Sequence, residues 1–460
     1  MLNKNIDKKL DKKLDKNTKK NKKQLAIFWF RRDLRLDDNA GLYHALRSGF
    51  EVLPLFIYDT DILEDLEDKD DARLTMIYRY LDKIKQELES KNIGSSICVQ
   101  VGKPIKIYKE LKEEYDIKEV YTNHDYEPYA KIRDESIKQF LETKNIKFKT
   151  FKDQVIFEKD EVLKDDKTPY VVYTPYSRKW KEKLSSFYLK SYPTEQYFDN
   201  FLKIESSKAF HFPTLEEIGF EENQNPHIPS DNFPKEVIKN YEETRDFPAQ
   251  EGTSRLSPHL RFGTISIRKL ATLAKETNEK YFNELIWREF YMTILYHYPK
   301  VVNNAFRSEY DKIPWRNDET EFEKWCQGKT GYPLVDAGMR QLNETGFMHN
   351  RVRMVVASFL TKHLLIDWRW GEAYFARKLL DYELSSNNGG WQWAAGSGVD
   401  AAPYFRIFNP ESQLKKFDKN QKYIRTWIKE YDNKNYPKPI VEHKMARERV
   451  LETYKKALKG

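Results

Sequence analysis

In the first third of the chain the apolar positions come in short unbroken runs. Leu25–Phe30 (LAIFWF), Val52–Ile57 (VLPLFI) and Ser96–Val101 (SICVQV) are each of strand length, and Glu119-Val120-Tyr121 with its neighbours makes a fourth. Charged amphipathic stretches, Arg73–Ser90 and Tyr129–Thr143, lie between them. Continuous apolar runs mark strands buried on both faces, so residues 25–150 are expected to form an α/β domain with a doubly wound parallel sheet. From 246 to 460 the period changes. Ile267–Ala274, Glu284–Tyr298, Leu334–Glu344, Val352–His363 and Trp370–Leu380 carry apolar residues three and four apart, which predicts an all-α C-terminal domain. Residues 151–245 have weak periodicity and are punctuated by Pro169, Pro175, Pro193, Pro213, Pro226, Pro229 and Pro234. They read as a long connecting segment with short helices, running over the surface.

Composition sharpens this division. Eight of the ten tryptophans follow residue 280. The tail Met1–Gln24 holds ten Lys against three Asp, a net +7, while residues 25–245 carry −8 and residues 246–460 carry +9. A basic, aromatic-rich second half suits a polyanion. The repeat DKKLDKKLDK has too few apolar residues to bury a helix face, and the tail (1–24) reads as a low-complexity basic arm. Two cysteines, Cys98 and Cys326, argue for a reducing compartment and against a disulfide scaffold or a Cys-rich metal site. No apolar run approaches the ~20 residues of a membrane helix, and the N-terminus lacks a secretory core.

Chemistry concentrates in four segments. Asp381–Pro403 (DYELSSNNGGWQWAAGSGVDAAP) crowds Trp391 and Trp393, three amides, three carboxylates and four glycines together, a mixture that a packed core does not need. It suits a pocket for a large aromatic cofactor. Glu251–Gly263 is dense in hydroxyls: Thr253, Ser254 and Ser257 either cap a helix or donate to phosphate. Asn283–Tyr291 places Glu284, Trp287, Arg288 and Tyr291 on one broad helix face, suited to a planar polar ligand; the plain alternative is a Glu284–Arg288 pair one turn apart. Gly346–Met354 puts Asn350, Arg353 and Met354 on one side of a further helix. The run GKTGYP lacks the full phosphate-loop spacing and is discounted, and no G-x-G-x-x-G follows the first strand, where Arg31-Arg32-Asp33 stands instead. No metal site is expected.

With FWFRRDLRLDDNAGL, RDFPAQEGTSRLSPHL, NELIWREFY, WCQGKTGYPLVDAGMRQL, MHNRVRM, LLIDW and NNGGWQWAAGSGVDAAPYFRIFNP, in that order from Leu25 to Lys429, the chain resembles the photolyase/cryptochrome family, most closely class I cyclobutane pyrimidine dimer photolyases. The resemblance implies FAD in the helical domain. Tyr241, Thr253, Ser254, Arg255, Leu256 and Ser257 would hold its phosphates and neighbouring groups, with Arg288 nearby. Asn350, Arg353, Asp381, Tyr382, Glu383 and Asn387 would line the rest, Arg353 pairing with Asp381 and Asn387 facing flavin N5. A flipped pyrimidine dimer would pack on Trp287 and Trp393 beside Tyr291, hydrogen-bond Glu284 and Asn350, and touch Met354; Glu284, Asn350, Met354 and Asn387 would be the catalytic set. Trp391, Trp368 and Trp315 would relay electrons. Arg245, Arg351 and Lys415 would contact DNA at the rim.

Asn387, Met354, Trp393 and Glu284 favour dimer repair over the alternative, a blue-light photoreceptor signalling through a partner. Tyr129-Ala130 replaces the polar pair of folate-antenna members, leaving a deazaflavin, a folate or no antenna open. The implied partner is DNA carrying pyrimidine dimers. A cytoplasmic monomer with no membrane association and no obligate protein partner is expected.

Overall fold

The computed structural model describes residues 22–90, 93–204 and 210–459. The basic arm lies outside them up to residue 21; Lys23 already pairs with Glu51 at 2.6 Å, and Gln24 opens the first strand. Five strands, β1 (Gln24–Phe30), β2 (Glu51–Tyr58), β3 (Cys98–Val101), β4 (Asp116–Asn123) and β5 (Lys147–Phe151), form one sheet in the order β3-β2-β1-β4-β5, every neighbouring pair parallel. Helices α1 (Ala40–Leu46), α2 (Ala72–Ser90), α3 (Pro104–Glu114) and α4 (Pro128–Glu142) cover its faces. The unbroken apolar run of β1 follows directly. Ala26, Phe28 and Phe30 point into the core shared with α1 and α2, while Leu25, Ile27 and Trp29 point into the core shared with α3 and α4. The edge strand β5, KFKTF, carries no such run because neither of its faces is fully buried.

The connecting segment departs from the surface course expected of it. Phe198, Phe201, Leu215 and Phe220 belong to the sheet's core, and Ile156, Phe157, Tyr176 and Trp180 to a core of the helical domain. Its aromatics bury enough area to hold a chain whose prolines prevent long helices.

The second half is helical as expected. Its main elements are α5 (Tyr173–Lys183, within the connecting segment), α6 (Ser257–Phe262), α7 (Ile267–Thr277), α8 (Glu279–His297), α9 (Pro333–Thr345), α10 (Asn350–Ser358), α11 (Trp368–Lys378), α12 (Leu384–Ala395) and α13 (His443–Lys459). The helix expected over Val352–His363 is α-helical only to Ser358 and then widens into a π turn, Phe359–His363.

The turn after β1 carries arginines where dinucleotide folds carry glycines, and those arginines join the halves. Arg35 pairs with Asp153 at 2.8 Å and donates to the Gly263 carbonyl at 2.9 Å. Arg268 of α7 reaches back to Asp38 and Asp153, each at 2.8 Å. The Leu34 amide donates to the Phe262 carbonyl at 3.0 Å. The carboxyl ends of the strands are thereby roofed by α6 and α7.

Candidate active site

The site is assembled on α8, α10 and α12. Asn278 caps α8 by accepting from the Tyr281 amide at 3.0 Å, and the helix then presents Glu284, Trp287, Arg288 and Tyr291 within two turns. Trp287 stacks flat on Tyr173, with ring centroids 3.7 Å apart and planes 5° apart, and the Tyr291 ring lies 5.7 Å from the same indole, tilted by 34°. Tyr173 carried no sequence signal beyond being one aromatic among many. α12 crosses α8 where Gly389 has no side chain: a Cβ there would lie 2.2 Å from the Tyr291 ring. The close approach at the NNGG run is thus to an aromatic ring of the protein itself.

The pair Glu284–Arg288 does not form. Arg288 donates instead to the carbonyls of Gln154 (2.7 Å) and Leu260 (3.2 Å), and burial lowers its pKa. Glu284 accepts from Arg245, whose guanidinium sits 5.2 Å over the Tyr241 ring. Tyr241 meets Tyr281 edge-on at 5.1 Å, and the Tyr281 hydroxyl is 2.8 Å from Ser254 Oγ. Arg351 pairs with Asp246 at 2.6 Å over the Phe417 ring. Both arginines expected at a DNA rim are therefore already engaged with carboxylates. Lys415 stands in the last turn of the helix Pro410–Phe417.

The hydroxyls of the 251–263 segment do not cap α6; its N-cap is Leu256, with no side-chain cap bond. Ser257 Oγ instead donates to Asp381 at 2.6 Å. The same carboxylate accepts from Arg353 at 2.9 and 3.2 Å, and Arg353 Nε holds the Met348 carbonyl at 2.7 Å. The Arg353–Asp381 pair is thus present. Beside it a cavity of about 140 Å³ is lined by Arg255, Phe347, Asp381 and Trp427 among others. Asn350 opens α10 after His349, which accepts from the Arg351 amide at 3.1 Å; Asn350 is exposed and Met354, one turn on, is half-buried.

At the start of α12, Glu383 is buried against Arg32 (3.4 Å) and Arg261 (3.9 Å), and its second oxygen has no hydrogen-bond partner. Ser385 Oγ is similarly unpartnered, and Tyr382 is half-buried. Asn387 donates to the Glu372 carbonyl (3.0 Å) and carboxylate (2.8 Å); burial raises the Glu372 pKa and this bond opposes the rise. A buried carboxylate oxygen without a donor, next to hydroxyls and arginines, fits a ligand bearing imide and hydroxyl donors and a diphosphate, which are the groups of FAD.

Trp391 and Trp368 are each 2% exposed, and Trp315, packed against the same apolar cluster, is half-buried. Trp391 lies edge-on to Phe375 at 5.0 Å, and Trp315 edge-on to Tyr454 at 6.1 Å. Trp393 stacks on Phe408 at 6.5 Å. The donors of GKTGYP are taken up within the protein: Thr330 N and Oγ1 and Gly331 N all donate to Asp336, leaving no anion loop. Tyr129, at the position bearing on a folate antenna, donates to Asp59 at 2.7 Å. Arg32 and Glu372 were not singled out by sequence reasoning; the signal for Arg32 was a charge run at the end of a fully buried strand.

Gly371 of α11 fixes Trp391, because a Cβ there would fall 2.1 Å from the indole. Gly371→Ala is expected to cost about 1–3 kcal/mol by overpacking and to shift the indole. Thermal unfolding together with near-UV circular dichroism would check it; an unchanged midpoint would show that the indole is free to move aside.

The chain matches the family "DNA photolyase" over residues 26–196 and the "FAD binding domain of DNA photolyase" over residues 281–434. It is 37% identical to the deoxyribodipyrimidine photo-lyase of Synechococcus sp., covering 93% of this chain and 96% of the relative, and 36% identical to that of Escherichia coli, covering 94% and 99%. Among solved structures it is similar to a bacterial class III photolyase from Agrobacterium tumefaciens (TM-score 0.84, 33% identity, 95% of this chain and 98% of the other). It is also similar to an archaeal photolyase from Sulfolobus tokodaii that holds two FAD molecules (TM-score 0.80, 34% identity, 94% and 99%). A helical half that presents unpartnered polar groups for a flavin nucleotide, behind a doubly wound sheet, and relatives matched over nearly their whole length lead to one conclusion: the chain belongs to the DNA photolyase family.

Proposed function

We propose that the protein binds FAD in its helical domain and repairs cyclobutane pyrimidine dimers in DNA under light. The observation that carries this reading is the face of α8, where Glu284 stands beside a stacked Trp287–Tyr173 pair. A flat indole suits the face of a flipped pyrimidine and a carboxylate suits its N–H edge, and a dimer costs less to flip than sound bases. The chemistry that bound FAD supplies is reversible one-electron transfer; the protein positions the lesion, keeps it dry and orients charge. Asn350 and Met354 on α10 and Trp393 on α12 complete the lesion pocket, with Tyr291 behind Trp287. Thr253, Ser254, Arg255, Leu256 and Ser257 would hold the phosphate side of FAD, and Arg353, Asp381, Tyr382, Glu383 and Asn387 would hold the rest of it.

The net +9 of residues 246–460 supports DNA as the partner. No described helix is long and apolar enough to cross a membrane. The protein acts as a monomer in the cytoplasm, without an obligate protein partner. The test is to illuminate FAD-loaded, pre-reduced protein with blue light in the presence of ultraviolet-irradiated oligo(dT). Recovery of thymine absorbance, absent in the dark, is the expected result. Tight flavin binding without recovery would favour the photoreceptor reading.

A further inference from the structure

Arg32 lies in the α/β domain, directly after β1, yet its guanidinium serves the helical domain. It is largely buried, with Nη1 at 3.2 Å from Asp125 and 3.0 Å from Glu127, Nε donating to the Arg261 carbonyl at 3.3 Å, and Nη2 at 3.4 Å from Glu383. Glu127 is shared, because Arg261 of α6 also pairs with it at 2.6 Å. Arg32, Arg261 and Arg288 thus face Asp125, Glu127 and Glu383 across the junction, with Arg31 and Arg133 also acting on Asp125. Burial would raise the Glu383 pKa and Asp125 adds to that, but Arg32, Arg288 and Arg261 together hold it below the usual carboxylate range. One Glu383 oxygen is ion-paired with Arg32 Nη2 at 3.4 Å, a nitrogen that has no hydrogen-bond partner of its own, and the other oxygen is buried and unpartnered. A carboxylate pinned on one side and free on the other is an acceptor prepared for a ligand donor.

We propose that Arg32 is a positioning residue of the cofactor site, reaching across the domain junction to hold Glu383 so that its free oxygen accepts a donor group of FAD. The inference rests on the reading of Glu383 as a cofactor contact. It means that the flavin site is completed only when the sheet domain is docked, so that the affinity for FAD reports on the junction. The Arg32 guanidinium is also the strongest of the charges that keep Glu383 ionised: without it Arg288 and Arg261 remain against burial and Asp125, and Glu383 takes up a proton at a higher pH.

The test is a fluorescence titration of the full-length protein, stripped of flavin, with FAD at a series of pH values. Arg32→Gln is expected to weaken FAD binding about tenfold to a hundredfold, the range for losing a charge-assisted contact. Its affinity should fall further as pH drops from about 7 towards the ordinary carboxylate range near about 4. Wild-type affinity should stay flat over that interval, and Arg32→Lys, which keeps the charge, should be flat as well with a smaller loss. Should Arg32→Gln fold poorly, the double variant Arg32→Gln/Glu127→Gln restores the balance of charge at the junction, and its FAD affinity should remain low. A folded Arg32→Gln or double variant that binds FAD within about twofold of wild type would overturn the proposal, as would equal, pH-independent losses in the Gln and Lys variants. Failure of the wild-type protein to bind FAD would instead remove the cofactor reading on which the proposal stands.

Discussion

Asp153→Ala is expected to lower the unfolding free energy by about 3–5 kcal/mol, the range for stranding a buried charge. Asp153 is 1% exposed and accepts from Arg35 and Arg268, both at 2.8 Å, and from the Ala40 amide at 3.0 Å. Without it two guanidiniums from opposite domains remain buried; Arg268 keeps the Asp38 carboxylate, while Arg35 is left with the Asp38 and Gly263 carbonyls. Burial alone would raise the Asp153 pKa, but the two arginines and the hydrogen bonds hold it at about 2. A depressed folded pKa contributes stability that is fully present above the unfolded value of about 3.9 and is lost as pH falls through the folded value. Between those two pH values wild-type stability should therefore decline, and the variant should lack that part of the decline. The measurement is the urea midpoint with its slope, since an altered slope would report uncoupled domains. Asp37→Ala is the control: Asp37 is exposed and paired with exposed Lys269, which predicts a change below about 1 kcal/mol. Equal shifts in the two variants would mean that the buried quartet does not hold the domains together.

That quartet shows where sequence reading stops. β1 and β2 were legible because both faces of each are buried, which leaves continuous apolar runs, whereas β4 interrupts its apolar residues with Lys118 and Glu119. β5 was not, because an edge strand with lysines at alternate positions looks like loop. The helices of the second half were legible by period, but the π turn at Phe359–His363 was not, since widening a turn leaves the pattern apolar. Of the two roles read for the hydroxyl-rich segment, capping of α6 does not form. Ser257 bonds Asp381, 124 residues away, rather than its own helix. Residue types concentrated in 381–403 pointed to a pocket without any pairing being known. What periodicity cannot supply is which charge meets which: Arg245 with Glu284, Arg351 with Asp246 and Arg32 with Glu383 are separated by long stretches of chain. The connecting segment was misjudged for a related reason. Prolines mark breaks in helices, but they say nothing about whether the aromatics between them are buried.

The Arg245–Glu284 pair changes what a substitution at Glu284 should do. Glu284→Ala removes the carboxylate proposed to meet the lesion's polar edge, and it also releases a half-buried guanidinium lying over Tyr241. Loss of a charge-assisted bond of about 1.5–3 kcal/mol should cut the preference for irradiated over intact DNA by roughly tenfold to a hundredfold. The freed Arg245 gains access to phosphate, so affinity for intact DNA should hold or rise, with the log–log salt slope steeper by about 0.7–0.9 if one contact is added. Arg245→Met should act differently. It leaves Glu284 without its orienting partner, lowers affinity for irradiated DNA, and adds nothing to the slope. A double-mutant cycle on the two positions should therefore be strongly non-additive, because the arginine acts on recognition through the carboxylate. Binding of irradiated and intact duplexes across a salt series, with all four proteins, gives every term. If Glu284→Ala kept full discrimination while Arg245→Met lost it, the arginine itself would be the recognition group. The carboxylate would then be its tether, and the assignment of the lesion edge to Glu284 would have to be withdrawn.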